Sequence, residues 1–433
     1  MIQRSKYLDQ LINKKENGKI KIVTGLRRCG KSVLLNEIFY NHLRQEGVGE
    51  DHIIRLSLED AENAKYRNPL KLDERVKSLI RDKDMYYVIL DEIQEVVSIR
   101  NPWIDDPEVT DRIGFTDVLL SLMKIKNIDL YVTGSNSKML SSDIVTKFRD
   151  RGDEIRMWPL SFKEFCTAFS GEKEDAWREY YTYGGLPRIT ELTTHEEKSN
   201  YLKDLFKNTY LKDVMERHDI RKQQEELDDL LNIIASSVGS LSNPSRLSSF
   251  FDTLKHKKID SETVKLYLSY FEEAFLINEA VRYDIKGQKY MDTPLKYYFT
   301  DVGLRNAWLN FRQNEENHIM ENIIYNELLM RGYTVDVGVV EYRHAGKNGK
   351  RVSSQLEIDF IASSSTNTYY IQSALNVDTE VKMEQEIKSL IKVKDSFTKM
   401  VVVKDHIMPY RDKNGILFIG VRDFLLDDHY MNG

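Results

Sequence analysis

One stretch near the N-terminus carries the clearest chemistry in the chain. Gly25-Leu26-Arg27-Arg28-Cys29-Gly30-Lys31-Ser32 fits the spacing G-x-x-x-x-G-K-[ST] without a mismatch. Glycines allow the tight bend that turns successive backbone N–H groups toward a phosphate chain. A helix beginning at Lys31 adds the positive end of its dipole. Lys31 is expected to reach the β- and γ-phosphates and Ser32 to ligand Mg²⁺. The binding set expected from the loop runs from Gly25 through Val33, and its cofactors are ATP and Mg²⁺. Cys29 lies inside this loop, so alkylating its thiol is expected to block nucleotide, and bound nucleotide to protect it.

A second element is Val88-Ile89-Leu90-Asp91-Glu92, an apolar run ending in two acids. A strand of this kind places a carboxylate at the carboxyl edge of a parallel sheet, where ligands bind in open α/β folds. Asp91 is expected to hold Mg²⁺, and Glu92 to polarise the attacking water as general base. Another strand, Ile53 to Leu58, lies in sequence between the loop and this run. That order, with an acid next to the metal ligand, resembles the P-loop class with an extra strand inserted in the sheet, to which AAA proteins and RecA belong. In AAA-type ATPases a polar residue closing a later strand contacts the γ-phosphate or its water. Tyr131-Val132-Thr133-Gly134-Ser135-Asn136 closes a strand this way, and Asn136 or Ser135 would fill that role. Arg149, Arg151 and Arg156 follow in KFRDRGDEIRMW. Arginine has the rigid fork that a charge-stabilising finger needs. Arg149 or Arg151 would point at a neighbouring subunit's nucleotide, which makes a homo-oligomer the expected form.

Elements that could position these residues are readable from periodicity. KIKIVTG, HIIRLSLED, MYYVILDEIQ, IDLYVTGSN and DEIRMWPLS read as strands alternating with helical segments. This implies a parallel sheet with helices on both faces. From about Ser161 the pattern turns helical, broken by Tyr183-Gly184-Gly185-Leu186-Pro187, and from about Glu315 it returns to mixed strand and helix. The chain has 433 residues, with 63 basic against 69 acidic and a net charge of -6. That balance makes a poor bulk polyanion binder, so nucleic acid would need a local patch. Charged residues at 30% and hydrophobic ones at 41% exclude disorder as the main state. No apolar run approaches the roughly 20 residues of a membrane span. The N-terminal segment lacks the apolar core of a secretion signal, and two cysteines, Cys29 and Cys166, make no disulfide framework. A cytoplasmic protein is expected.

GLRRCGKS, VILDEIQ, TGSNSKML, FRDRGDEIRMWPLSFKEF and YGGLPRI occur in this order. Together they resemble a large bacterial and archaeal group of AAA-superfamily ATPases with a C-terminal domain of unknown function, over nearly the whole chain. The resemblance implies ATP binding and hydrolysis and ring or partial-ring assembly. The group's usual arginine run is close to L-R-G-R-Y, whereas here Asp150 stands between Arg149 and Arg151. The expected division is an ATPase core over 1–161, a helical lid over 162–220, a winged-helix-like domain over 221–312 and a restriction-endonuclease-like domain over 313–433.

In the third segment the helix Ser261 to Phe275 resembles the groove-reading helix of winged-helix DNA binders. Asp260 or Ser261 would cap it, Lys265 and Tyr267 lie early on it, and Lys255-His256-Lys257-Lys258 could hold phosphates. NEAVRYDIKGQKYMDTPLKYYFTD would be the wing. In the last segment Glu321, Asp359 and the run Ile371-Gln372-Ser373-Ala374 follow the order of a restriction-endonuclease-like site. Such a site needs carboxylates for Mg²⁺ and a lysine to activate water. Gln372 stands where the acid belongs and Ala374 where the lysine belongs, so catalysis is expected to be lost. The expected function is a DNA-associated, Mg²⁺-dependent ATPase. The alternatives are a nucleotide-controlled protein-binding switch or scaffold and, third, an active Mg²⁺ nuclease.

Overall fold

The computed structural model describes residues 2–106, 108, 110–134, 151–172, 174–218, 220, 223–255, 259–312, 315–345 and 351–431. The chain divides into two units, Met1–Trp158 with Glu273–Phe275, and Pro159–Glu272 with Leu276–Gly433.

The first unit is built on five strands: β1 (Ile20–Gly25), β2 (Ile53–Ser57), β3 (Tyr86–Asp91), β4 (Ile128–Gly134) and β5 (Gly152–Met157). They pair in the order β2-β3-β4-β1-β5, and every pairing is parallel. β4 thus stands between the loop-bearing β1 and the acid-bearing β3, which is the inserted strand expected from the order of the motifs. β1 and β3 are buried along their whole length, as strands covered on both faces must be. The helices Pro69–Leu79 and Phe115–Leu122 cover one face through Leu72, Val76, Val118, Leu119 and Leu122. Asn68 starts the first of these by accepting from the N–H groups of Leu70 and Lys71, with Pro69 at the first helical position. At the opposite end of the strands from the loop, Lys21 pairs with Asp129, whose second oxygen accepts from Tyr131 at 2.6 Å. Both charges are buried, so removing one partner would strand the other at a cost of about 3–5 kcal/mol.

The second unit begins with helices and ends in a sheet. Ser161 and Glu164 form a reciprocal capping box that starts the helix Phe162–Ala168. Leu160 N–H donates to the carbonyl of Gly185 at 2.7 Å, which stitches this motif to the Gly-Gly turn. A Cβ on Gly184 would lie 2.2 Å from an oxygen of Asp301, and the N–H of Gly185 donates to that carboxylate at 2.8 Å. Asp301 also accepts from Leu304 N–H at 3.1 Å, capping the helix Val302–Trp308. The last two of the motifs that carry the family resemblance, FRDRGDEIRMWPLSFKEF and YGGLPRI, are therefore joined in one structural clasp.

Burial pushes the Asp301 carboxyl up from 3.8 to about 6, against the backbone donors that pull it down. A raised carboxyl contributes stability that is complete below the unfolded value and is lost as pH rises through the folded one. The wild type should lose about 3 kcal/mol on this account between roughly pH 4 and 6. Asp301→Asn should flatten that slope in melting curves taken across the window, and equal slopes for both proteins would refute the assignment.

Eight strands form the second sheet: β6 (Ile277–Asp284), β7 (Lys289–Phe299), β8 (Thr334–Ala345), β9 (Arg351–Ser363), β10 (Thr368–Ala374), β11 (Thr398–Val403), β12 (Tyr410–Arg411) and β13 (Leu417–Gly420). Their order is β12-β13-β11-β10-β9-β8-β6-β7. β6 and β7 are the segment expected to form a wing. They pair antiparallel as a hairpin, and β6 also pairs in parallel with β8 through Arg282, Tyr283 and Asp284, so the sheet runs through the expected boundary at 312. The helix Glu316–Met330 is buried on nearly all sides, and Glu380–Lys392 packs Ile387 and Leu390 onto the sheet core.

Candidate phosphate-binding site

The loop after β1 is as tight as its glycines suggest. A Cβ on Gly25 would sit 2.0 Å from the carbonyl oxygen of Met157, so no other residue fits there. Gly30 caps the following helix at φ 105°. That helix runs through Lys31–Val33, a π-turn Leu34–Phe39 and Tyr40–Gln45. Lys31 is buried, and its Nζ donates to the carbonyls of Gly25 at 3.0 Å and Leu26 at 3.1 Å. Among the described residues no carboxylate forms an ion pair with it. A buried ammonium held, among the described residues, by neutral carbonyls at the head of a helix suits an incoming anion.

Asp91 ends β3 beside this loop. One oxygen accepts from the Thr133 hydroxyl at 2.5 Å, and the other faces the Asn36 amide at 3.5 Å. Burial pushes the Asp91 carboxyl up, while hydrogen bonds from Thr133 and Ser32 and the charge of Lys31 pull it down. Ser32 thus lies close enough to Asp91 to act on its carboxyl. Two oxygen donors at this edge fit a hard cation such as Mg²⁺. Glu92 follows in the left-handed region at φ 53°. Its N–H donates to the same Thr133 hydroxyl at 2.8 Å, and its carboxylate accepts from the Gln94 side chain. Thr133 therefore fixes both acids at once.

The other expected residues spread as follows. Leu26 is buried, Arg27 half-buried, and Arg28 and Val33 exposed. Arg27 and Arg28 lie near Glu59, which burial and the nearby Glu92 raise and the two arginines lower. Arg151 is exposed. The Arg156 guanidinium stacks on Trp158 at 4.3 Å and Phe275 at 5.1 Å, which leaves it poorly placed to serve as a finger. Ser135, Asn136 and Arg149 lie outside the described residues, as do residues 256–258. On the helix Ser261–Glu273, Asp260 caps through Thr263 and Lys265 is exposed. Tyr267 is buried with its hydroxyl on Glu226 at 3.2 Å, so it is not a base-reading side chain. Glu321 and Asp359 do come together, whereas Ala374 lies in the apolar core and Gln372 serves the carboxyl of Glu386.

Cys29 reverses its expectation. It is fully buried, with its sulfur 3.6 Å from the Met157 carbonyl, and burial pushes its thiol up against the pull of Lys31 and Arg4. A buried neutral thiol is inert. Maleimide should label half-buried Cys166 first and reach Cys29 only in denaturant. Peptide mapping that found Cys29 modified first would contradict this geometry.

Sequence reading missed Thr133, Asn36 and Gln94. Thr133 carried a signal, a hydroxyl at the end of a strand next to the acid-bearing one. The adjacency of those strands was not visible in the sequence.

An AAA domain family matches residues 17–166, and a domain of unknown function matches residues 174–315. The chain is 31% identical to an uncharacterized protein of Haemophilus influenzae, over 98% of this chain and 99% of that one. It is 28% identical to an uncharacterized protein of Methanocaldococcus jannaschii, over 91% of this chain and 83% of that one. A solved Walker-type ATPase of Pyrococcus abyssi is similar at 15% identity and TM-score 0.47, over 71% of this chain and 96% of that one. Among the described residues no helix is long and apolar enough to cross a membrane.

Proposed function

This chain belongs to the AAA-type P-loop ATPases that carry a C-terminal domain of unknown function, and from that premise we propose that it binds ATP with Mg²⁺ and hydrolyses it. The observation that carries this is the convergence of Lys31, Ser32, Asp91, Glu92 and Thr133 at the carboxyl edge of β1, β3 and β4. The loop N–H groups and Lys31 bind the phosphates, the ammonium having no carboxylate partner among the described residues. Ser32 and Asp91 are the residues that would hold Mg²⁺. When bound, Mg²⁺ neutralises charge on the phosphate oxygens. Glu92 takes the proton of the attacking water, and Thr133 keeps its backbone in register with Asp91. Asn136 is proposed to sense the γ-phosphate. Arg149 and Arg151 are proposed to act across subunits of a homo-oligomer; the exposure of Arg151 suits that. Residues 162–220 are proposed as the lid, in a cytoplasmic enzyme.

We carry two readings of what hydrolysis drives. The first is a DNA-associated remodeller acting through the 221–312 segment, where Lys265 is exposed. The second is a nucleotide-controlled switch that binds protein. It is favoured by the inward Tyr267 and by the wing strands being joined to the eight-stranded sheet. Steady-state ATP hydrolysis with Mg²⁺, titrated with single- and double-stranded DNA, decides between them. Stimulation that fades with salt, as phosphate contacts require, supports the first, and a rate indifferent to DNA supports the second. Absence of ATP turnover under all of these conditions would overturn the ATPase reading itself.

A further inference from the structure

Inside the second unit three carboxylates converge on one ammonium. Lys296 Nζ lies 2.9 Å from Glu321, 2.8 Å from Glu357 and 3.8 Å from Asp359. Lys296, Glu321 and Asp359 are 3%, 6% and 8% exposed. The groups come from separate elements: Lys296 from β7, Glu321 from the helix Glu316–Met330, and Glu357 and Asp359 from β9. The Tyr298 hydroxyl donates to Glu321 at 2.6 Å, and the N–H of Ser373 donates to Asp359 at 2.8 Å.

Ser373 adds an independent observation. Its side chain is 8% exposed and its hydroxyl has no hydrogen-bond partner. Strand alternation puts it on the face of Ile371. The register partner of Ile371 is Phe360, whose ring lies 6.2 Å from that of Tyr298. One extra residue in β9 between Ile358 and Ile361 returns Glu357 and Phe360 to one face, so an orphan hydroxyl sits on the face that carries Glu321 and Glu357. The backbone of Gly239 closes over the cluster, since a Cβ there would lie 3.1 Å from Glu321.

Charge and distance together say what this arrangement holds. Three acids with a hydroxyl at their side form a hard, oxygen-rich set of the kind that takes Mg²⁺ or Mn²⁺. Divalent cations draw such oxygens in to about 2.0–2.6 Å. Here the oxygens stand at 2.8–3.8 Å from a nitrogen, the contact distances of an ammonium group and too long for a bound divalent cation. Burial opposes the charge on Lys296, yet Glu321, Asp359 and Glu357 together hold its pKa above the usual lysine range. Burial and Glu321 push the Asp359 carboxyl up, with Lys296 pulling it back.

We propose that Lys296 is the resident cation of a metal-type carboxylate site, its ammonium filling from within the chain the place a divalent cation would take in its absence. In the wild type this face recruits no metal and cuts no DNA, and the third, nuclease function is set aside. The proposal does not depend on the nucleotide site.

The test uses the full chain without nucleotide. In EDTA, Lys296→Met should melt roughly 10 °C below wild type, because three buried acids lose their counter-ion. MnCl₂ should restore most of that loss, and equilibrium dialysis should find one more equivalent of Mn²⁺ on the variant than on wild type. Adding Asp359→Asn should remove that equivalent. A variant that gains no Mn²⁺ overturns the proposal, as does a wild-type equivalent that Lys296→Met abolishes. Should Lys296→Met fail to fold, Asp359→Asn alone carries the test. It should bind as much Mn²⁺ as wild type, and loss of a wild-type equivalent would overturn the proposal.

Discussion

Lys31→Ala should leave the protein folded and unable to turn over ATP. The side chain is buried, and its donors rest on carbonyls of its own loop, so its removal breaks no ion pair among the described residues. The fold is held elsewhere, by β1 between β4 and β5. What is lost is the ammonium at the head of the loop that is proposed to meet the phosphates. Charge-assisted hydrogen bonds are worth about 1.5–3 kcal/mol each, so two of them correspond to a loss of roughly 10²–10⁴ in affinity. Calorimetric titration with ATP, beside a melting curve showing the fold intact, measures this. ATP turnover at the wild-type rate would remove the Gly25–Ser32 loop from the site.

Glu92→Gln should bind ATP normally and hydrolyse it about 10²–10⁴-fold more slowly, the usual contribution of a positioned general base. The substitution keeps the shape of the site. The left-handed backbone at residue 92 and its N–H bond to Thr133 do not involve the carboxylate. The amide oxygen of the new side chain can still accept from Gln94, as the carboxylate does. Only the ability to take a proton goes. Single-turnover rates beside binding constants separate the two effects. A variant within tenfold of wild type would make some other group the base.

How much of this was legible in the sequence differs from element to element. The loop and the acidic strand end were readable because their spacing is itself the chemistry: phosphate contact requires those residues in that order. Thr133 was hidden because its role depends on β4 lying beside β3, a pairing between distant segments. The inward turn of Tyr267 could have been read, since Val264, Tyr267, Leu268 and Phe271 form an apolar stripe at helical spacing. Lys296 was not accessible to motif reading. The lysine was sought two residues beyond Gln372, and the one that meets the acids comes from a strand 25 residues before Glu321. That the expected boundary near 313 falls within one shared sheet has the same origin, because local periodicity marks strands and says nothing about which sheet they join.

That shared sheet bears on where such a chain can be divided. A gene fragment ending near residue 312 would encode β6 without the strand that pairs with Arg282, Tyr283 and Asp284. Its open backbone edge would template association with other chains. A fragment beginning there would lack Lys296 and leave Glu321, Glu357 and Asp359 facing one another without a counter-charge. Division at that point would therefore expose an unpaired strand edge on one side and an uncompensated acidic cluster on the other.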